Sequence, residues 1–302
     1  MSSPALTSAA TAARVAIPVA ARAKRKPRWL RSNRVVVGAI VLGLVALAIL
    51  MLPFVLPYEA QAQNARENFR PPLSAGSSGI HLLGTDALGR DLFARLLLGG
   101  RISLLVSLGA GVLACLVGVT LGLLAGYMGG WIDSLVMRLV DVELAIPSIL
   151  LAMGLMAAFG ASQLNVILAL AITAWLVYAR TVRSSALLLR NSQFAESARA
   201  VGATDLRIVT RHILPNCITP IIVIATQQTA QLIIVESSLS FLGIGVPIEI
   251  PSWGRMIAEG RSYLTTSWWI NTITGLALMS TTLALNFFGD GLRDVLDPRL
   301  RV

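Results

Sequence analysis

The chain has 302 residues, 55% of them hydrophobic and only 13% charged, with a formal net charge of +10. Soluble domains carry about 25% charged residues, so the composition excludes an ordinary water-soluble enzyme and points to one membrane domain with little soluble structure. The basic excess alone would suit a nucleic-acid partner. Its distribution excludes one: residues 1–34 hold eight Lys/Arg and no acid, and residues 180–211 hold six Arg against two acids. Both clusters flank apolar runs, the pattern of a positive-inside membrane orientation.

Residues 1–34 read as a basic, disordered cytoplasmic tail. Residues 35–57 predict a first transmembrane helix: positions 35–56 are 22 residues without a charge, enough to cross a hydrocarbon core of roughly 30 Å. That stretch is too long for a cleaved signal, whose apolar part runs about 7–15 residues. Residues 58–101 hold five Arg and four acids and predict an exported, periplasmic loop that ends in an amphipathic piece at 91–98. A second helix fills the uncharged span between Arg101 and Asp133. Gly118, Gly122 and Gly126 share one of its faces and would let a neighbouring backbone approach. The third helix begins near Asp133 and carries Arg138, Asp141 and Glu143 before Pro147. Arg138 and Asp141 are one turn apart, and a structural ion pair between them is expected. The polar break at 160–163 separates a fourth helix. A fifth runs over 213–235, with Pro215 suited to its first turn and Glu236 interrupting its far end. After a second exported loop, 243–267, a sixth helix covers 270–288, and 290–302 form a short cytoplasmic tail. Six crossings from a basic N-terminus place both termini in the cytoplasm. Glu236 is a candidate gate or pathway residue, because ionisable groups at membrane depth are costly and often functional.

The stretch 191–215 is the one long inward-facing loop. Phe194, Ala198 and Val201 recur at helical spacing, with Glu196 and Arg199 off that face. Gly202 suits a helix end, and Thr204-Asp205 can cap a second short helix. The loop therefore predicts helix, sharp turn, helix across the inner surface. Its spacing resembles the signature of ABC importer permeases: Glu-Ala-Ala, a Gly six residues after the Glu, and Leu-Pro beginning twelve after that Gly. Glu196-Ser197-Ala198, Gly202 and Leu214-Pro215 stand in that spacing. Ser197 replaces the middle Ala, and His212 stands where an Ile is usual.

The resemblance extends over residues 30–302 to the C-type subunits of dipeptide and oligopeptide permeases. It is carried by Gly84-Thr85-Asp86 with Gly89-Arg90-Asp91, by 125–147, by 240–245 with Trp253-Gly254, and by 286–294 with Asp297-Pro298. It implies an all-α polytopic fold of six transmembrane helices: a type I ABC importer core, residues 102–289, with one extra N-terminal helix. It implies that 190–214 is the loop that couples to separate ATPase subunits, through Phe194, Glu196, Ser197, Ala198, Gly202, Leu214 and Pro215. The implied partners are membrane lipid, a second related permease forming a heterodimer, two ATP-binding subunits and a substrate-binding protein. The implied place is the bacterial inner membrane, and the implied cargo is di- or oligopeptide. Nickel chelates, glutathione and small sugars are the sibling cargoes. A secondary transporter is the competitor of another class, against which the absence of an inverted repeat counts.

This chain is not expected to be an enzyme. A phosphate loop needs a Lys after its second Gly, and the two lysines, Lys24 and Lys26, lie in the tail. ATP and Mg would therefore bind the partner subunits, and no cofactor this chain. His81 and His212 form no metal motif. Cys115 and Cys217 lie in apolar segments, as small buried residues do.

Overall fold

The computed structural model describes residues 33–51, 60–77 and 79–296. The tail 1–32, the end of the first span at 52–57, and Asp297-Pro298 lie outside the described residues.

Helix α1, Asn33–Met51, is nearly all aliphatic. It packs on the last helix at Gly38, where a Cβ would stand 2.8 Å from the carbonyl oxygen of Ala284. The first span is therefore docked to the bundle. Between it and the next helix, residues 60–91 are built rather than loose. They hold a hairpin of β1, Ser74–Gly76, and β2, Gly79–His81.

Helix α2, Leu92–Met128, starts where the carboxylate of Asp91 accepts the Ala94 N–H at 2.8 Å. The amphipathic piece at 91–98 and the second span thus form one helix of 37 residues. At 1.5 Å per residue it is about 55 Å long, well beyond a hydrocarbon core, so its first turns stand clear of the apolar layer.

The third span is broken. Helix α3, Gly130–Leu144, and helix α4, Ser148–Phe159, meet at 90°. Pro147 has no N–H to continue α3 and starts the new turn instead. The amide of Asn165 then closes the next turn onto the carbonyls of Phe159 and Gly160, at 2.8 and 3.0 Å.

Helix α5, Gln163–Arg190, leads to the short helices α6, Gln193–Ala200, and α7, Asp205–Ile208. Helix α8, Leu214–Phe241, runs through Glu236 without interruption. The expected loop 243–267 contains helix α9, Trp253–Gly260. Helix α10, Trp269–Leu296, absorbs most of the expected C-terminal tail. Among the described residues, five helices are long and apolar enough to span a bilayer, and the bent α3–α4 pair has the combined length and apolarity of a sixth.

The core forms where α2 and α5 lie side by side. Val106, Ala110 and Ala114 recur every four residues on α2, as do Val166, Leu170, Ala174 and Tyr178 on α5. Gly118, Gly122 and Gly126 bring the backbones together. A Cβ on Gly122 would lie 2.6 Å from the carbonyl oxygen of Ala179, and one on Gly126 would lie 2.7 Å from that of Arg183. The opposite face of α2 exposes Leu105, Leu108, Val112 and Leu116. So long an apolar surface suits lipid or another subunit.

Candidate functional site

At one end of the bundle, residues 191–213 fold as helix, turn, helix. Ala195 is fully buried and holds α6 down, while Ile208 and Ile213 anchor the second arm. The Gly202 backbone has φ +83°, and the Ala203 N–H reaches back to the Ala198 carbonyl at 3.0 Å. That left-handed turn is a glycine position. A π-helical turn, Val209–Ile213, leads into Pro215 at the start of α8. The widened turn spares the clash of the Pro215 ring with a regular turn onto residue 211. The second arm, the π-helical turn and α8 are thus continuous.

Tyr127, at the end of α2, ties both arms to the bundle. Its hydroxyl donates to Asp205 at 2.5 Å, and the Arg199 guanidinium lies 5.8 Å from its ring centre. Arg199 also donates to the Arg190 carbonyl at 2.9 Å. With the arms pinned, Phe194, Val201 and Leu206 face outward at 39%, 89% and 74% exposure. Glu196 and Ser197 are exposed beside them. An exposed apolar strip with polar edges has the composition of a protein-interaction surface.

The arginines flanking this end are paired across helices. Arg183 on α5 donates two hydrogen bonds to Asp133 on α3, one at 2.6 Å. The ion pair expected within α3 does not form. Asp141 instead takes Arg180 of α5 at 2.9 Å, and Arg138 is exposed on another face. The reason is geometric: α3 runs antiparallel to α5, whose arginines reach Asp141 without bending a side chain along its own helix. Both partners in the Asp141–Arg180 pair are more than half exposed, so it contributes about 0–1 kcal/mol.

The opposite end is held by buried charges. Asp86 accepts from Arg90 at 2.7 Å and also from Arg95. Both arginines reach Glu259 of α9, at 3.0 and 2.8 Å. His81 bridges Asp91 and Glu67 through its two ring nitrogens, at 2.8 and 3.2 Å. The Ser77 backbone N–H donates to Glu67 and holds that carboxyl below the usual glutamate range. The charges of 58–101 and 243–267 look merely balanced in the sequence, and Arg90 and Arg95 of the first segment pair with Glu259 of the second.

Glu236 is fully buried, and its carboxylate accepts from Ser240 at 2.8 Å and Ser237 at 3.4 Å. Ser103 of α2 and Ser252 at the start of α9 stand beside it. It therefore joins three elements and does not line the cavity at the α3–α4 break. Replacing Glu236 with Leu should strand these hydroxyls, at about 1–3 kcal/mol for each group left buried without a partner. The expected result is a lower melting temperature in detergent and faster proteolysis within 243–252. Gln, which keeps one acceptor, should do less. A Leu variant as resistant as the wild type would remove the fastening role.

A cavity lies at the break between α3 and α4. It has a volume of about 300 Å³ and is lined by Glu143, Pro147, Ser148, Thr173, Gln228 and Gln231 among others. The sequence marked Glu143 only as one more charge near the start of the third helix. The signal that could have found it is a carboxylate four residues before a proline within an apolar span.

A bent transmembrane helix with a polar cavity at its break, and an exposed apolar strip at one end of the bundle, fit a membrane-transport subunit. The family of binding-protein-dependent transport system inner membrane components matches residues 118–302. The chain belongs to this family, the permeases of ABC importers. It is similar to a peptide transport system permease protein of Brucella suis biovar 1, 44% identical over 91% of both chains. A glutathione transport system permease protein of Pectobacterium atrosepticum is 42% identical, over 91% of this chain and 90% of its own. A di/tripeptide transport system permease protein of Pseudomonas aeruginosa is 39% identical, over 87% and 88%. In fold, a chain of the MetNI methionine ABC transporter, inward-facing, aligns with a TM-score of 0.55 at 20% identity, covering 67% of this chain and 97% of that one. The fold is the type I permease fold.

Proposed function

We propose that this permease carries short peptides inward across the bacterial inner membrane, driven by ATP hydrolysis on two partner subunits that also hold the Mg. The observation that carries the coupling part is the exposed strip of Phe194, Val201 and Leu206 on a segment pinned by Tyr127. The strip is the seat for an ATPase subunit, with Glu196, Ser197, Ala198 and Gly202 shaping it and Leu214-Pro215 joining it to α8. This end is cytoplasmic, and both termini lie on its side. A second, related permease completes the pathway, and the end built from 60–91 and 243–267 receives the substrate-binding protein. ATPase closure would shift the bundle between outward- and inward-open states.

Peptide cargo is supported by the names of the relatives. The glutathione relative is consistent with it, since glutathione is itself a tripeptide. Nickel chelates and small sugars remain outcomes of the test. Uptake of labelled peptides of two to five residues should vanish in cells lacking this subunit and return when it is restored. Unchanged uptake, with no parallel peptide system active, would move the cargo to those siblings. Uptake that survives ATP depletion and follows an ion gradient would favour a secondary transporter.

A further inference from the structure

Glu143 is half-buried near the end of α3, against the cavity at the α3–α4 break. Its Oε2 accepts the indole N–H of Trp175 at 2.8 Å. Trp175 lies 12 residues from the start of α5 and 15 from its end, about 18 and 22 Å along the axis, so the carboxylate is near mid-span. Its second oxygen, Oε1, is buried and has no hydrogen-bond partner among the described residues. A carboxylate at such depth ordinarily has a cationic partner, and the neighbouring arginines are committed elsewhere. Arg183 holds Asp133, and Arg180 holds Asp141. Arg138, five residues back, points about 140° away around α3. Among the described residues, no cation reaches Oε1.

What faces this carboxylate is the cavity. Gln228, Gln231 and Thr173 give its wall amide and hydroxyl groups, which hydrogen-bond a peptide backbone whatever its side chains. Pro147 and Ser148 bring in the start of α4, a 12-residue helix whose N-terminus has no side-chain cap. The cavity thus combines an incompletely partnered carboxylate with uncapped backbone N–H groups that favour an anion.

We propose that Glu143 binds the terminal ammonium group of a transported zwitterionic peptide at the α3–α4 break, while the uncapped start of α4 accommodates the peptide's carboxylate. This assignment rests on the peptide-import reading. A cation on the partner permease is the competing occupant of Oε1, and the test separates the two.

The experiment uses the complete transporter in cells lacking this subunit, with radiolabelled Ala-Ala as the probe. Uptake restored by the wild-type chain is read first, and its absence would sink the peptide reading itself. Given that uptake, Glu143→Gln should lower the initial rate about tenfold, the size of one lost charge-assisted hydrogen bond. Glu143→Asp should recover a substantial part of the rate. Both variants should co-purify with their partner subunits in wild-type amounts. Equal uptake by all three chains overturns the proposal, as does equal loss with Gln and Asp in an intact complex. Loss of the partner permease from the Gln variant also overturns it, because Oε1 would then belong to a partner cation.

Discussion

A chain carrying Val201→Asp is expected to reach the membrane in normal amounts and fail to retain its ATPase subunits on purification. Val201 is 89% exposed and contributes nothing to the fold, which is held here by Ala195, Ile208 and Ile213, all fully buried. Placing a carboxylate in the centre of an apolar strip removes one anchor and buries an unpaired charge on docking. Losses of about 2 kcal/mol or more are usual at such positions, roughly a thirtyfold weaker association. Uptake driven by ATP should fall with it. Gly202→Pro should act through geometry, because proline locks φ near −65° where the chain needs +83°, and the second arm would swing away from the first. Glu196→Lys alters the charge at the edge of the same strip and leaves its shape. Unchanged co-purification and uptake in Val201→Asp and Gly202→Pro together would place the docking surface elsewhere.

The parts of this molecule visible in its sequence are those set by local periodicity. The turn at Gly202, the two short arms around it and the stripe of Gly118, Gly122 and Gly126 all depend on spacings of three to six residues. Apolar length marked each span. What escaped detection depends on contacts between distant elements. Asp141 has a basic residue three positions before it, yet it pairs with Arg180, 39 residues on. Arg95 and Glu259 are 164 residues apart, and nothing in either segment announces the other. The bend at Pro147 is an intermediate case. The proline was visible, but the uncharged run around it suggested a continuous helix, and the 90° angle places α4 against α5, a contact no local spacing announces. Glu236 was marked for its depth, but depth says nothing of which way a side chain points, and here it is buried and bonded to Ser237 and Ser240 of its own helix.

Close packing of α2 on α5 sets the second large effect. Gly122→Leu is expected to prevent a stable bundle from forming. At this position a Cβ alone would meet the carbonyl oxygen and Cα of Ala179 at 2.6 and 3.0 Å. These are backbone atoms of a rigid helix, so no rotamer change relieves the clash. Forcing even one extra methylene into a packed core costs about 1–3 kcal/mol, and Leu adds a whole side chain, so the helices must separate. Their separation would also strip Asp133 and Arg183 of the geometry in which they pair. Gly154 and Gly275 lie in helices with nothing within 4 Å of a Cβ, and there Gly→Ala should be neutral or stabilise by about 0.5–1 kcal/mol through helix propensity. Melting temperature in detergent and the yield of monodisperse protein would check both outcomes. A Gly122→Leu chain that melts with the wild type would show that α2 and α5 lie further apart than described, and the tight seam would then have to be abandoned as the core of the fold.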